Sequence, residues 1–161
     1  MSLVDVLGLI HVVAGGLALV IGPIAMWAPK QPGLHPRLGE AFFVSVTAVC
    51  ISGGVLGVMF WETRWMFLFI AVGTYAFALV GYSAGKKRWR GWLIAHVAGQ
   101  GGAYTAMVTA FMVANWDDLT GTQGTDVPLG FLIPMFVGSV AVGWLVHQVD
   151  VGKRPKVRRQ T

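Results

Sequence analysis

Five apolar runs, each long enough to cross a bilayer, take up most of this chain: Leu3–Trp27, Ala41–Trp61, Trp65–Gly85, Gly91–Asn115 and Pro128–Val149. A span takes about 20 apolar helical residues. Inside hydrocarbon the backbone groups of such a run must be satisfied internally, which favours an α-helical bundle over any open sheet. Composition agrees, with 55% hydrophobic and only 12% charged residues, where a soluble domain carries about a quarter. The chain therefore reads as an all-α integral membrane bundle of five transmembrane helices, one domain over 1–150, followed by a basic tail over 151–161. The first run has no basic leader and no A-x-A cleavage site, so it reads as a retained span. Trp27, Trp61, Trp65, Trp92 and Trp116 stand near the edges of the runs, where a headgroup belt of aromatic rings belongs. Cys50 is the single cysteine and reads as a small buried hydrophobe.

Charge assigns the sides. Lys30 and Arg37 fall in the first connection, Lys86, Lys87, Arg88 and Arg90 in the third, and five bases in the tail. Five spans bring these segments to one face, and leave Asp5, "ETR", Asp117, Asp118 and Asp126 on the other. Basic residues favour the cytoplasmic face, so the N-terminus is expected outside and the C-terminus inside, in a bacterial cytoplasmic membrane. Pro29, Pro32 and Pro36 are expected to stop the first helix and hold the first connection extended. The tail suits anionic lipid. Nucleic acid is excluded as a partner, because the bases are split among membrane-proximal segments. No HExxH, CxxC, phosphate-binding glycine loop or triad motif occurs, and no catalytic set is picked out.

The fourth run is the unusual one. "IAHVAGQGGAYTAMVTAFMVAN" mixes His96, Gln100 and Tyr104 with glycines. His96, Gly99, Ala103, Ala106 and Ala110 share a helical stripe of small residues, a face that lets helices approach closely. Gln100 and Tyr104 follow His96 at successive turns as a polar edge. The first run carries a similar stripe, Gly8, His11, Gly15, Ala18 and Gly22, and the last carries Ser139, Gly143 and His147 four apart. All three intramembrane histidines are thus expected to face other helices.

Depth groups them. His96 and His147 both fall near the cytoplasmic ends of their spans, and His35, in the first loop, is able to fold over the same region. His11 lies in the outer half of the first span. Two histidines level on neighbouring helices and flanked by glycine suit axial ligation of a b-type haem, with His96 and His147 as the expected pair. Arg37, beside His35, would anchor to headgroups or clamp a propionate. A metal ion held by imidazoles, drawing on His96, His147 and His11, is the related option.

"LIHVVAGGLALVIGPIAM", "LHPRLGEAFF", "AHVAGQGGAYTAMVTAFMVAN" and "FLIPMFVGS" together resemble a family of bacterial multi-pass membrane proteins that carry a domain of unknown function. The resemblance runs over essentially the whole chain and maps onto His11, Gly15, His35, Arg37, Gly39, His96, Tyr104, Thr109 and Asn115. "HPRLGE" stands where that family reads His-Arg and Gly-Arg, and "GAY" where it reads "GSY". The resemblance implies the fold and topology and brings no activity.

Three functions fit these features. The leading one is an accessory or packing subunit that associates through small-residue faces with a second copy or a larger membrane complex. The alternative is a haem- or quinone-linked electron carrier using the histidines near the cytoplasmic face. The third is a small-molecule transporter using the edge Gln100–Tyr104–Thr109, although no charge lies mid-membrane and no inverted repeat appears.

Overall fold

The computed structural model describes residues 1–121, 127–150 and 152. The described residues form helices and their connections only: α1 Leu3–Trp27, α2 Leu34–Met59, α3 Trp61–Lys87, α4 Trp92–Ala114, the short α5 Trp116–Thr120, and α6 Val127–Asp150. The tail over 151–161, apart from Gly152, lies outside the described residues, as does Asp126.

Two expected boundaries are corrected. α2 starts at Leu34, seven residues ahead of the expected Ala41, and so takes in His35, Pro36 and Arg37. Pro36 is the third residue of this helix, where its missing N–H would have had no intrahelical acceptor, so it does not hold the chain extended. "ETR" is not a loop either. α3 starts at Trp61, and Phe60 alone separates it from α2. At the other end of the chain, Ser2 caps α1 and exchanges side-chain hydrogen bonds with Asp5.

Successive long helices run antiparallel. His11 and Gly15 on α1 meet Gly53 and Val49 on α2. Glu40 pairs with Lys86 and Phe43 stacks on Tyr82 across α2 and α3. Gly81 meets Gln100 across α3 and α4, and Gly101 meets Val142 across α4 and α6. The core of Ala18, Phe42, Val46, Ala78, Ala103 and Met107 draws on α1, α2, α3 and α4, and no described residue of α6 joins it. α6 instead packs on the outside of α4.

Among the described residues, four helices are long and apolar enough to cross a membrane: α1, α2, α3 and, over Leu129–Asp150, α6. α4 is not among them by composition, and its position explains why. It touches α1, α3 and α6, more helices than its neighbours do, so its side chains meet protein where those of α6 do not. Gly99, Gly101, Ala103, Met107 and Thr109 are buried on it. Glycine is a poor helix former by about 1 kcal/mol, but only glycine permits the crossing with α3. A Cβ on Gly99 would come within 2.6 Å of the Gly81 Cα, and one on Gly81 within 2.6 Å of the Gln100 backbone nitrogen. The two backbones touch. Small residues in the fourth run are therefore a packing face, at Gly99 and Ala103 as the stripe suggests, while Ala106 and Ala110 are only partly covered.

The last stripe is corrected. Ser139, Gly143 and His147 are all exposed on α6, and nothing approaches the position a Cβ on Gly143 would take. The packed side of α6 is one residue out of phase, through Gly130 under Trp116, Gly138 against Thr105, and Val142 in the Gly101 notch. A shift of one residue turns a helix by about 100°, enough to carry a stripe from the inside to the outside. Both rows recur at multiples of four residues, so spacing alone does not choose between them.

Candidate functional site

Antiparallel pairing gathers most of the bases of the described chain. The ends of α1 and α3 and the starts of α2 and α4 lie together, which brings Lys30, Arg37, Lys86, Lys87, Arg88 and Arg90 to one end of the bundle. Asp5, Glu62, Asp117 and Asp118 lie at the other, with Arg64.

At the basic end the interior holds two imidazoles. His96, in the second turn of α4, lies in the notch left by Gly85, where a Cβ would come within 2.9 Å of its Nδ1. That Nδ1 bonds the Gly81 carbonyl at 2.8 Å. His35, in the first turn of α2, bonds the Ala25 carbonyl through Nδ1 at 3.0 Å. The two rings face each other edge to face, with centroids 6.2 Å apart and planes at 79°. Trp92 lies 6.3 Å from the His96 ring, and the Arg88 guanidinium covers Trp92 at 5.2 Å.

The Ala25 carbonyl is available to His35 because of Pro29. An α-helix would bring the N–H of residue 29 to that oxygen, and proline has none. The freed oxygen accepts from His35 and also from Lys30 Nζ at 3.0 Å, while Lys30 Nζ donates to Met26 at 2.5 Å. A carbonyl only accepts, so in both histidines Nδ1 carries the hydrogen. In the neutral ring Nε2 is then a bare lone pair, and no hydrogen bond to Nε2 of either ring is found among the described residues. The arrangement sets two neighbouring neutral imidazoles side by side, each with its Nδ1–H committed to a backbone carbonyl and its Nε2 unprotonated.

The polar edge of α4 continues inward by the same device. Gln100 Nε2 donates to the Ala78 carbonyl at 3.3 Å, and the Tyr104 hydroxyl to the Leu19 carbonyl at 3.2 Å. Leu19 lies four residues before Pro23, so its oxygen also lacks a helical donor. Tyr104 crosses to it over Gly22, where a Cβ would come within 2.6 Å of the tyrosine ring. Thr109 bonds back to Thr105 in its own helix, so it does not extend this edge to a neighbour.

The other expected ligands lie elsewhere. His11 bonds Val49 and Ser52 on α2 at 3.2 and 3.3 Å and fills the notch of Gly53. Fourteen residues of α1 separate it from Ala25, about 21 Å along the axis. His147 is exposed on α6, and the ring found beside that of His96 is His35. The set His11, His96 and His147 is not brought together, and no group of three metal-ligating side chains occurs among the described residues. Arg37 is exposed at the basic end. Lys30, Trp92 and the Ala25 and Gly81 carbonyls join the site without having been expected there. Of these, only the Ala25 carbonyl has a readable signal in the sequence, a proline four residues later.

Comparison with family models, curated proteins and solved structures finds no match to this chain. The function is therefore argued from the site.

Proposed function

We propose that this chain is a small five-span protein of the bacterial cytoplasmic membrane, related to the multi-pass family its segments resemble. α4 is the fourth span and completes the five with α1, α2, α3 and α6, and the basic end faces the cytoplasm. The alternation of helix direction supports the topology, since it gathers every described Lys and Arg except Arg64 at one end. In a variant whose native Cys50 is replaced by alanine, a cysteine at Asp118 is expected to react with an impermeant thiol reagent in intact cells. One at Lys87 is expected to react only after permeabilisation; labelling of Lys87→Cys in intact cells would reverse the orientation.

Its activity, in this proposal, is to carry a transition-metal centre between His35 and His96 and to pass single electrons between a membrane quinol and an acceptor at the cytoplasmic face. One observation carries this reading: the His35 and His96 rings lie 6.2 Å apart, centre to centre, and each spends Nδ1–H on a backbone carbonyl, which leaves Nε2 without a hydrogen bond among the described residues. Metal-binding histidines characteristically donate their second nitrogen to such an acceptor, which fixes the tautomer and raises ligand basicity. The expected result is about one equivalent of a transition metal, free or within a cofactor, per chain purified from cells. Losing either His35 or His96 should lower that content at least tenfold. Metal content unchanged in His35→Ala and His96→Ala would sink the reading.

The accessory-subunit reading has its own support in α6, whose outer face of Ser139, Gly143 and His147 is small and uncovered. Most other small faces are already filled by the chain's own helices. The partner in that case would be a second copy or a larger membrane complex docking on α6.

A further inference from the structure

We infer that a phospholipid with a net negative headgroup binds along α2 and α3 at the acidic end of the bundle, one acyl chain in the groove between Cys50 and Met59 and the phosphate on Arg64, a site independent of the paired histidines.

The groove suits a single acyl chain. It is open, holds about 440 Å³, and is lined by apolar groups of Cys50, Gly54, Val55, Val58, Met59 and Leu68. Gly54 deepens it, since the nearest atom to a Cβ placed there is a Leu68 methyl at 3.7 Å. Cys50 and Met59 stand nine residues apart, about 14 Å along the helix axis, and Met59 is the last residue of α2. Half of a hydrocarbon core is about 15 Å deep. The groove therefore runs from mid-membrane to the surface, the depth of one leaflet.

Arg64 supplies the charge. It lies one turn ahead of Leu68 on the same face of α3, and its carbonyl is 3.5 Å from where a Cβ on Gly57 of α2 would be. That turn stands over the surface end of the groove. Helical side chains lean toward the helix N-terminus, which here carries the guanidinium outward to headgroup level, where arginine settles. Arg64 is exposed and is the single described Lys or Arg at this end, and its guanidinium makes no ion pair among the described residues. A zwitterionic lipid brings its own cation. A net negative one supplies the charge that Arg64 lacks beside it.

A second groove, between α1 and α2, shows what the arginine adds. It holds about 430 Å³ and is lined by apolar groups of Leu9, Val13, Leu17, Val44 and Ala48, among others. Asp5 stands one turn ahead of Leu9 and is bonded to Ser2. A groove of the same size and character therefore has an acid toward its mouth, which repels an anionic headgroup.

The test uses the full chain, purified in detergent and incubated with phosphatidylglycerol or with phosphatidylcholine of the same acyl chains. Bound lipid is counted by native mass spectrometry. Lipid held at the basic end is common to every variant, so differences among variants read this groove. Arg64→Gln should hold about one phosphatidylglycerol fewer per chain than the unmodified protein, and Arg64→Lys should keep it. Val55→Trp, whose ring fills the groove, should also hold about one fewer, and Val44→Trp, in the second groove, should hold as many as the unmodified protein. With phosphatidylcholine, Arg64→Gln and the unmodified protein should not differ. Arg64, Val55 and Val44 are exposed, so the variants should fold, and helix content by circular dichroism checks that they do. An unchanged phosphatidylglycerol count in a folded Arg64→Gln or Val55→Trp would overturn the inference. So would an equal loss with phosphatidylcholine in Arg64→Gln, or a loss in Val44→Trp.

Discussion

Gly99→Leu and Gly81→Leu are expected to prevent the bundle from forming, and even the alanine variants should be strongly destabilised. At both positions the new Cβ meets backbone, not a side chain able to swing aside: the Gly81 Cα in one case and the Gln100 nitrogen in the other. Overpacking a tight interior costs roughly 1–3 kcal/mol when side chains can yield. Here α3 and α4 must separate, and with them go the bonds from His96 to Gly81 and from Gln100 to Ala78. We expect about 3 kcal/mol or more for Gly99→Ala. Gly16→Ala is the control, because nothing lies within 4 Å of its added methyl. It should be neutral or stabilising by about 0.5–1 kcal/mol. Detergent unfolding of the three alanine variants checks this, and equal stability of Gly99→Ala and Gly16→Ala would show that the helices do not touch there.

The second large effect is expected at the junction of α1 with α4. Gly22→Leu drives a side chain into the Tyr104 ring, and the ring is held in place by its hydroxyl on the Leu19 carbonyl. Separation of α1 from α4 and a loss of roughly 2–3 kcal/mol should follow. The hydroxyl can be isolated from the ring. Tyr104→Phe strands the oxygen that Pro23 has already deprived of a helical donor, at a cost of about 1–3 kcal/mol. Pro23→Ala returns an N–H four residues along, so in that background Tyr104→Phe should cost less than half as much. A double-mutant cycle measures the difference. Additive effects would mean that the tyrosine hydroxyl does not stand in for the missing amide.

These two junctions separate what is legible in the sequence from what is not. The number and approximate limits of the long helices can be read, because a run of apolar residues has few other ways to satisfy its backbone. The glycines of α4 are recognisable as a packing face for the same kind of reason, since neither lipid nor water rewards them. Which helix covers which face is a different matter. Ser139, Gly143 and His147 look like an interior stripe and lie outside, because the adjacent row through Gly130, Gly138 and Val142 does the packing. His35 reads as a loop residue, because three prolines in eight residues suggest extended chain. Only the position of Pro36 within a first turn allows the helix to begin ahead of it. The partner of His96 follows from that boundary. Both histidines stand out as candidates in the sequence, but their pairing depends on where a helix starts.

The placement of α6 bears on how the protein is made. The four long helices before it share a common core without it, and it leans on α4 alone among the helices with substantial contacts. A chain inserted from its N-terminus would therefore have its histidine pair and both backbone junctions assembled while the last helix was still leaving the ribosome. α6 then arrives at a finished surface, docking onto Gly101 and Thr105 as one body. Biogenesis of such a protein separates into an obligatory stage and a late, reversible one, and quality-control proteases would meet α6 as the first segment to come loose.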